Sequence, residues 1–204
     1  MTPVPPLPSI PSILLTEPVA LDLVNTHFHL PDGPVDLLDQ PEQRTEWLTA
    51  ESARLGIFAT QAAARSEEVA TALKAVREHV AAAIEPARHG KRPPARALSG
   101  LNEALRAAPA VPQARWDGGT VVTTTDRAGP LATRLAAGFA EAAVELFADP
   151  AIRKVRRCDA PSCVILFLPR NPNRRWCTPT ICGNRARVAR YYLRHKPEQA
   201  DLSS

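Results

Sequence analysis

Cys158-Asp-Ala-Pro-Ser-Cys163 and Cys177-Thr-Pro-Thr-Ile-Cys182 are two cysteine pairs of the same spacing, C-x4-C-x13-C-x4-C. They hold all four cysteines of a 204-residue chain within 25 positions. Four thiolates placed this way can close a tetrahedron around one zinc ion. Such a closed site leaves no position for water, so the ion would be structural and not catalytic. A spacing of four is looser than that of a zinc knuckle, but the surroundings support it. Pro161-Ser162 makes a turn between the first two cysteines, Trp176 precedes the third and Gly183 follows the fourth. Val164-Ile165-Leu166-Phe167-Leu168 is apolar and β-favouring, which predicts one strand inside the metal loop. From Cys182 to Arg194 there is no proline, and helix formers predict a helix that starts at Cys182. On it Arg187, Arg190 and Arg194 stand at i, i+3 and i+7 and form one cationic stripe. Val188 and Tyr192 are expected to pack against the metal loop or the body.

Charge points the same way. Between Pro150 and Lys196 twelve basic residues face the single acid Asp159, so this segment carries +11 in a chain of +4 overall, and the remainder carries −7. Arginine outnumbers lysine 21 to 4, a preference that GC-rich coding alone can produce; it does not produce the crowding at one end. An acidic body with a basic tail suits a nucleic-acid binder. The first dozen residues lack a basic n-region, and no run of about 18 apolar residues could span a bilayer. A cytoplasmic chain without membrane contact is therefore expected. Thiols stay reduced there, which favours metal over disulfides.

Working outward to the body, periodicity predicts a mainly α fold with a small antiparallel β element and a C-terminal zinc-binding module that ends in a helix. Residues 1–12, rich in proline, read as a flexible arm, 13–149 as a helical regulatory domain, 150–196 as the zinc module and 197–204 as a flexible tail. Pro18 to Thr26 reads equally as a short helix or a buried strand. Turn chemistry surrounds Pro31-Asp-Gly-Pro34. A helix is expected from Glu42 to Leu55, stopped by Gly56. Ser66 caps a stronger one, whose stripe of Val69, Leu73, Val76, Val80 and Ile84 Pro86 should end. After the basic loop His89 to Pro94, a helix spans Ala95 to Ala108. Asp117-Gly-Gly119 between β-favouring residues predicts a hairpin. A last body helix begins at Pro130, buries Leu131, Leu135, Phe139, Ala143 and Leu146, and stops at Asp149-Pro150.

The strings Arg174-Arg-Trp-Cys177 and Cys182-Gly-Asn-Arg185, with Arg157-Cys158, Cys163 and Phe167, resemble the CGNR zinc finger. Leu21-Asp-Leu-Val-Asn-Thr26 and Trp47-Leu48 resemble the domain usually joined to it, the stress-induced transcription regulator domain called ABATE. The chain departs at Leu168-Pro-Arg170, where family members often carry an acid. The resemblance implies one structural Zn2+ on Cys158, Cys163, Cys177 and Cys182, DNA as partner, and transcription regulation as role. Candidate DNA contacts are Arg174, Arg175, Asn184, Arg185, Arg187, Arg190 and Arg194. Asn pairs well with adenine and Arg with guanine, yet Asn184 at a helix start commonly serves the backbone, and Arg185 suits phosphate. Asn25, His27 and His29 are the candidate binding residues for an unidentified small-molecule effector. A homodimer would match two half-sites. No phosphate loop or nucleophile elbow is present, so no enzyme is expected. The runner-up reading is a zinc-stabilised RNA- or protein-interaction module.

Overall fold

The computed structural model describes residues 12–30 and 33–195. Apart from Ser12, the expected arm and tail lie outside the described residues, as do Pro31 and Asp32 of the expected turn. The open choice at Pro18 resolves to a helix: α1 is Val19–Asn25, begun by the Pro18 carbonyl, which accepts from the Leu21 and Asp22 amides. Ala20, Leu21, Asp22, Leu23 and Asn25 are all buried, so α1 is a core helix with only Val19 and Val24 partly exposed. β1 (His27–Leu30) and β2 (Gly33–Asp36) follow as an antiparallel pair with His27 opposite Asp36.

α2 (Pro41–Arg54) lays Trp47 flat on Phe139, ring centroids 5.5 Å apart, and the indole N–H donates to the Leu14 carbonyl at 2.9 Å. Gly56 closes α2 with a positive φ of 65°, as its place after the helix predicts. A short α3 (Gln61–Ala64) leads into α4 (Glu67–Arg88), where the Ser66 hydroxyl accepts from the Val69 amide at 3.3 Å. All five stripe residues of α4 are buried. Pro86 does not end it. The helix runs to Arg88, and Gly90 then closes it at φ 66° with Gly90 N–H on Ala87 O and Lys91 N–H on Pro86 O. Proline costs the helix the one bond its missing N–H would have made four residues back, and beyond it the Schellman closure satisfies the Pro86 and Ala87 carbonyls at the helix end.

α5 (Ala95–Ala107) buries Leu101 fully, while Leu98 and Leu105 are only partly covered. β3 (Val111–Trp116) and β4 (Val121–Asp126) form the expected hairpin, in which Asp117 accepts from the Gly119 and Thr120 amides at 3.0 and 2.9 Å. α6 (Leu131–Ala148) packs on α1, α4 and α5 with Leu135, Phe139, Ala143 and Leu146 buried; Leu131 lies half-buried at its first turn. A 3-10 turn, Pro150–Lys154, carries the chain onward.

The strand expected at 164–168 shrinks to β6 (Leu166–Phe167), paired with β5 (Arg156–Arg157), a partner that alternation could not reveal in two residues. The last helical segment also starts earlier than expected. One π-helical turn, Pro179–Gly183, precedes α7 (Asn184–His195), so Cys182 sits inside the turn and not at its start. The described hydrophobic core is one cluster that runs from Leu14 and Leu21 through Phe139 to Phe167 and Cys182.

Candidate metal centre and nucleic-acid interface

β5, β6, the following loop and the π-turn deliver the four cysteines to one point. Their Sγ atoms all lie within 4.8 Å of one another. Cys163 to Cys177 measures 3.9 Å, Cys177 to Cys182 3.4 Å and Cys182 to Cys163 3.8 Å. A tetrahedron with metal–sulfur bonds of about 2.3 Å has edges of about 3.8 Å, so these sulfurs fit zinc; a disulfide needs about 2.05 Å. The four cysteines are thus positioned to bind one metal ion, in keeping with a single structural Zn2+. Without metal the thiols compete for one charge. Hydrogen bonds from Cys163 and Cys177 pull the Cys158 thiol far below the ordinary thiol range, and sharing with Cys158 pushes Cys163 and Cys177 up. A dication lets all four ionise together.

Backbone folding around the sulfurs follows from the small residues. Ser162 turns at φ 60°, and the Cys163 amide donates to Ala160 O at 3.1 Å. The Cys177 amide donates to Cys158 Sγ at 3.3 Å. The Gly183 amide reaches back five residues to Thr178 O at 3.0 Å, which sets the π-turn. A Cβ at Gly183 would stand 3.3 Å from the Trp176 ring, so glycine lets that indole lie over the turn.

The expected DNA-contact residues separate into two groups. Arg174 is committed inward: it donates to Glu17 at 2.9 Å and to Cys177 O at 2.7 Å, and lies 4.4 Å above the Phe167 ring. Arg185 donates to Cys182 Sγ at 3.6 Å, where it offsets thiolate charge. Arg175 is exposed, paired with Asp159 at 2.9 Å. Arg187, Arg190 and Asn184 are exposed on α7, and Asn184 makes no side-chain hydrogen bond among the described residues. Arg194 lies in α7, but its side chain is outside the described part. Val188 and Tyr192 do not pack as expected; they are 49% and 69% exposed, because α7 leaves the module with its outer face uncovered.

Asn25 joins the body to the module. Its amide nitrogen donates to Leu166 O at 2.8 Å and its oxygen accepts from Leu166 N at 2.9 Å, so the side chain acts as a third strand beside β6. Asn25 thus has no free polar atom to offer an effector, whereas His27 and His29 are exposed with ring centroids 6.2 Å apart. Beside this joint, buried Glu17 accepts from the Leu168 amide at 2.8 Å as well as from Arg174. Asp22 accepts from the Glu17 amide at 3.3 Å and from Arg54 at 2.6 Å, and Arg54 also reaches Glu51 at 2.7 Å. Burial pushes Asp22 up to about 8 and raises Glu51 too. Nothing in the spacing of Glu17, Asp22 and Arg54 signals this relay; only the Asp and Asn of the Leu21–Thr26 string hint at it.

Comparison with family models places residues 17–150 in ABATE, described as "Putative stress-induced transcription regulator", and residues 154–195 in the CGNR zinc finger. The chain belongs to the ABATE family. Its ABATE body and CGNR module are the two parts that Asn25 and Glu17 hold together. No curated protein matches the chain. Among the described residues no helix is long and apolar enough to cross a membrane.

Proposed function

We propose that this ABATE protein is a DNA-binding transcription regulator, not an enzyme, whose CGNR module grips duplex DNA mainly through phosphate contacts. One observation carries this reading: a four-thiolate metal site is followed directly by a helix, α7, whose sequence Asn-Arg-Ala-Arg-Val-Ala-Arg-Tyr-Tyr-Leu-Arg-His contains no acid and exposes Arg187 and Arg190. Guanidiniums at this spacing follow a phosphate row, while the metal keeps the helix in place. Arg175 adds a cation from the preceding loop. Arg174 and Arg185 act from behind: they hold the ligand loop and balance its negative sulfurs. A second copy on an adjacent half-site belongs to the same reading.

Exposed Tyr191 and Tyr192 on α7 favour a second reading, in which unpaired RNA bases stack on the helix. Fluorescence anisotropy separates the two. Duplex DNA should bind the zinc-loaded protein with a salt slope of about −3, in keeping with three or four phosphate contacts. Replacing Arg187 and Arg190 together by Ala should lower that slope by about 2. Chelated protein that binds duplex with unchanged affinity and slope would end the DNA reading. A clear preference for structured RNA at equal salt would favour the second.

A further inference from the structure

An open cavity of about 740 Å³ lies between β1, α4 and the CGNR module. Small-molecule sites occupy roughly 300–1,000 Å³, so the space suits an organic ligand. Val24 and Ile84 of the body and Val164 and Leu166 of the module line it, so both parts share its apolar wall. Three guanidiniums reach the cavity, and two are already engaged. Arg77 forks onto Asp36, and Arg88 forks onto Glu85. Among the described residues no hydrogen bond or salt bridge engages the exposed Arg157 side chain. Its influence inside the cavity falls on Glu85, whose carboxyl Arg88 holds below the usual range with smaller help from His89 and Arg157. Toward the Arg77–Asp36 pair, where His27 stands opposite Asp36, His27 and His29 line the cavity with exposed Glu78, and neither histidine is hydrogen-bonded among the described residues. Glu78 and Glu85 are two turns apart on α4, so the cavity follows that helix for about 10 Å. The histidines do not make a metal site with their neighbours, since the cysteines form the one such cluster among the described residues.

We propose that this cavity binds a small, elongated carboxylate with an apolar or aromatic body and a polar group at its far end, and that the bound molecule fastens the module to the body. The carboxylate takes the fork of Arg157, the far group meets His27 and His29, and the body of the ligand rests on Val24, Ile84, Val164 and Leu166. Leu166 is also the residue that Asn25 grips, so a ligand on this wall favours the docked arrangement over an undocked one. The consequence for DNA rests on the regulator reading above; the binding itself does not.

The test uses the zinc-loaded full chain, labelled with 15N, with 4-hydroxybenzoate as probe and 4-hydroxybenzamide as its uncharged counterpart. The acid should shift amides at 27–29, along α4 and at 157 and 164–166, and should slow hydrogen exchange at the Leu166 amide severalfold. Arg157→Gln and the change of acid to amide should each weaken binding by about tenfold, the loss expected for one charge-assisted fork. No shifts up to about 10 mM acid, a range that reaches even very weak binding, would overturn the site. Equal binding of the amide, or of the acid to Arg157→Gln, would overturn the assigned chemistry, and unchanged Leu166 exchange would overturn the fastening. None of these measurements uses DNA, so failure of duplex binding would leave them intact. In protein that does bind duplex, saturating acid should change the affinity at least about fivefold, the low end of the usual range of coupling; an unchanged affinity would overturn the regulatory consequence.

Discussion

Asn25 shows how one side chain can replace a strand. Its amide makes both hydrogen bonds that a neighbouring backbone would make to Leu166, at a buried joint. Asn25→Ala leaves an amide and a carbonyl there without partners, at about 1–3 kcal/mol for each buried group. Chemical denaturation should therefore show a loss of about 2–6 kcal/mol, while zinc stoichiometry stays at one. A loss below about 0.5 kcal/mol, the size of an ordinary surface change, would show that water replaces the joint. Asp22 supports a second test. Burial raises its pKa to about 8 from an unfolded value near 3.9. The folded protein thus keeps a proton that the unfolded chain has lost, so its stabilisation is complete below about pH 4 and fades as pH rises through 8. Thermal midpoints should fall between pH 5 and about 8, and Asp22→Asn should flatten that decline. The four ligands were readable because thiols at fixed spacing have few uses. The roles of Asn25, Glu17 and Arg174 were not, since each depends on a partner more than a hundred residues away.

Among the elements, those with a long repeat could be read directly. The α4 stripe and the α6 face match their patterns, since burial over many turns leaves a strong periodic signal, while the largely exposed Asp117 hairpin was legible from its Asp-Gly-Gly turn. Short pieces could not. β5 and β6 hold two residues each, and the π-turn is a single turn shaped by sulfur positions and by the space above Gly183. The error at Val188 and Tyr192 has a different cause. Two apolar residues at i and i+4 imply a covered face, and among the described residues nothing covers it. Gly183 makes the π-turn testable. An added Cβ would meet the Trp176 ring at 3.3 Å, tighter than usual, and glycine-to-alanine in a helical turn gains up to about 1 kcal/mol in propensity. The ring is half-buried and packed on the core, so it yields little, and the contact should win. Gly183→Ala should be neutral to about 1 kcal/mol destabilising, with the Trp176 indole resonance displaced. A stabilised variant with that resonance unmoved would show that the turn has room to spare.

At the scale of the molecule, family boundaries divide the chain after residue 150, yet its core does not divide there. Apolar contact is continuous from Leu21 and Phe139 to Phe167 and Cys182, and Asn25, Glu17 and Arg88 bond across to the module's backbone. The module is too small to fold on its own core, so a bound zinc ion would add to what the body supplies, at about 10 kcal/mol judging from zinc-finger peptides. If module and body unfold as one unit, much of that energy also stabilises the body, and each kcal/mol moves the midpoint of a chain this size by about 2–4 °C. Calorimetry should then give one transition with zinc, and chelation should lower it by at least about 10 °C. Asn25→Ala should shrink that difference, because it cuts the joint through which the metal's contribution reaches α1. Two separate transitions with zinc, of which only the smaller responds to chelation, would instead make the module an appendage that folds apart from the body, and would remove the route by which a ligand beside Leu166 could influence α7.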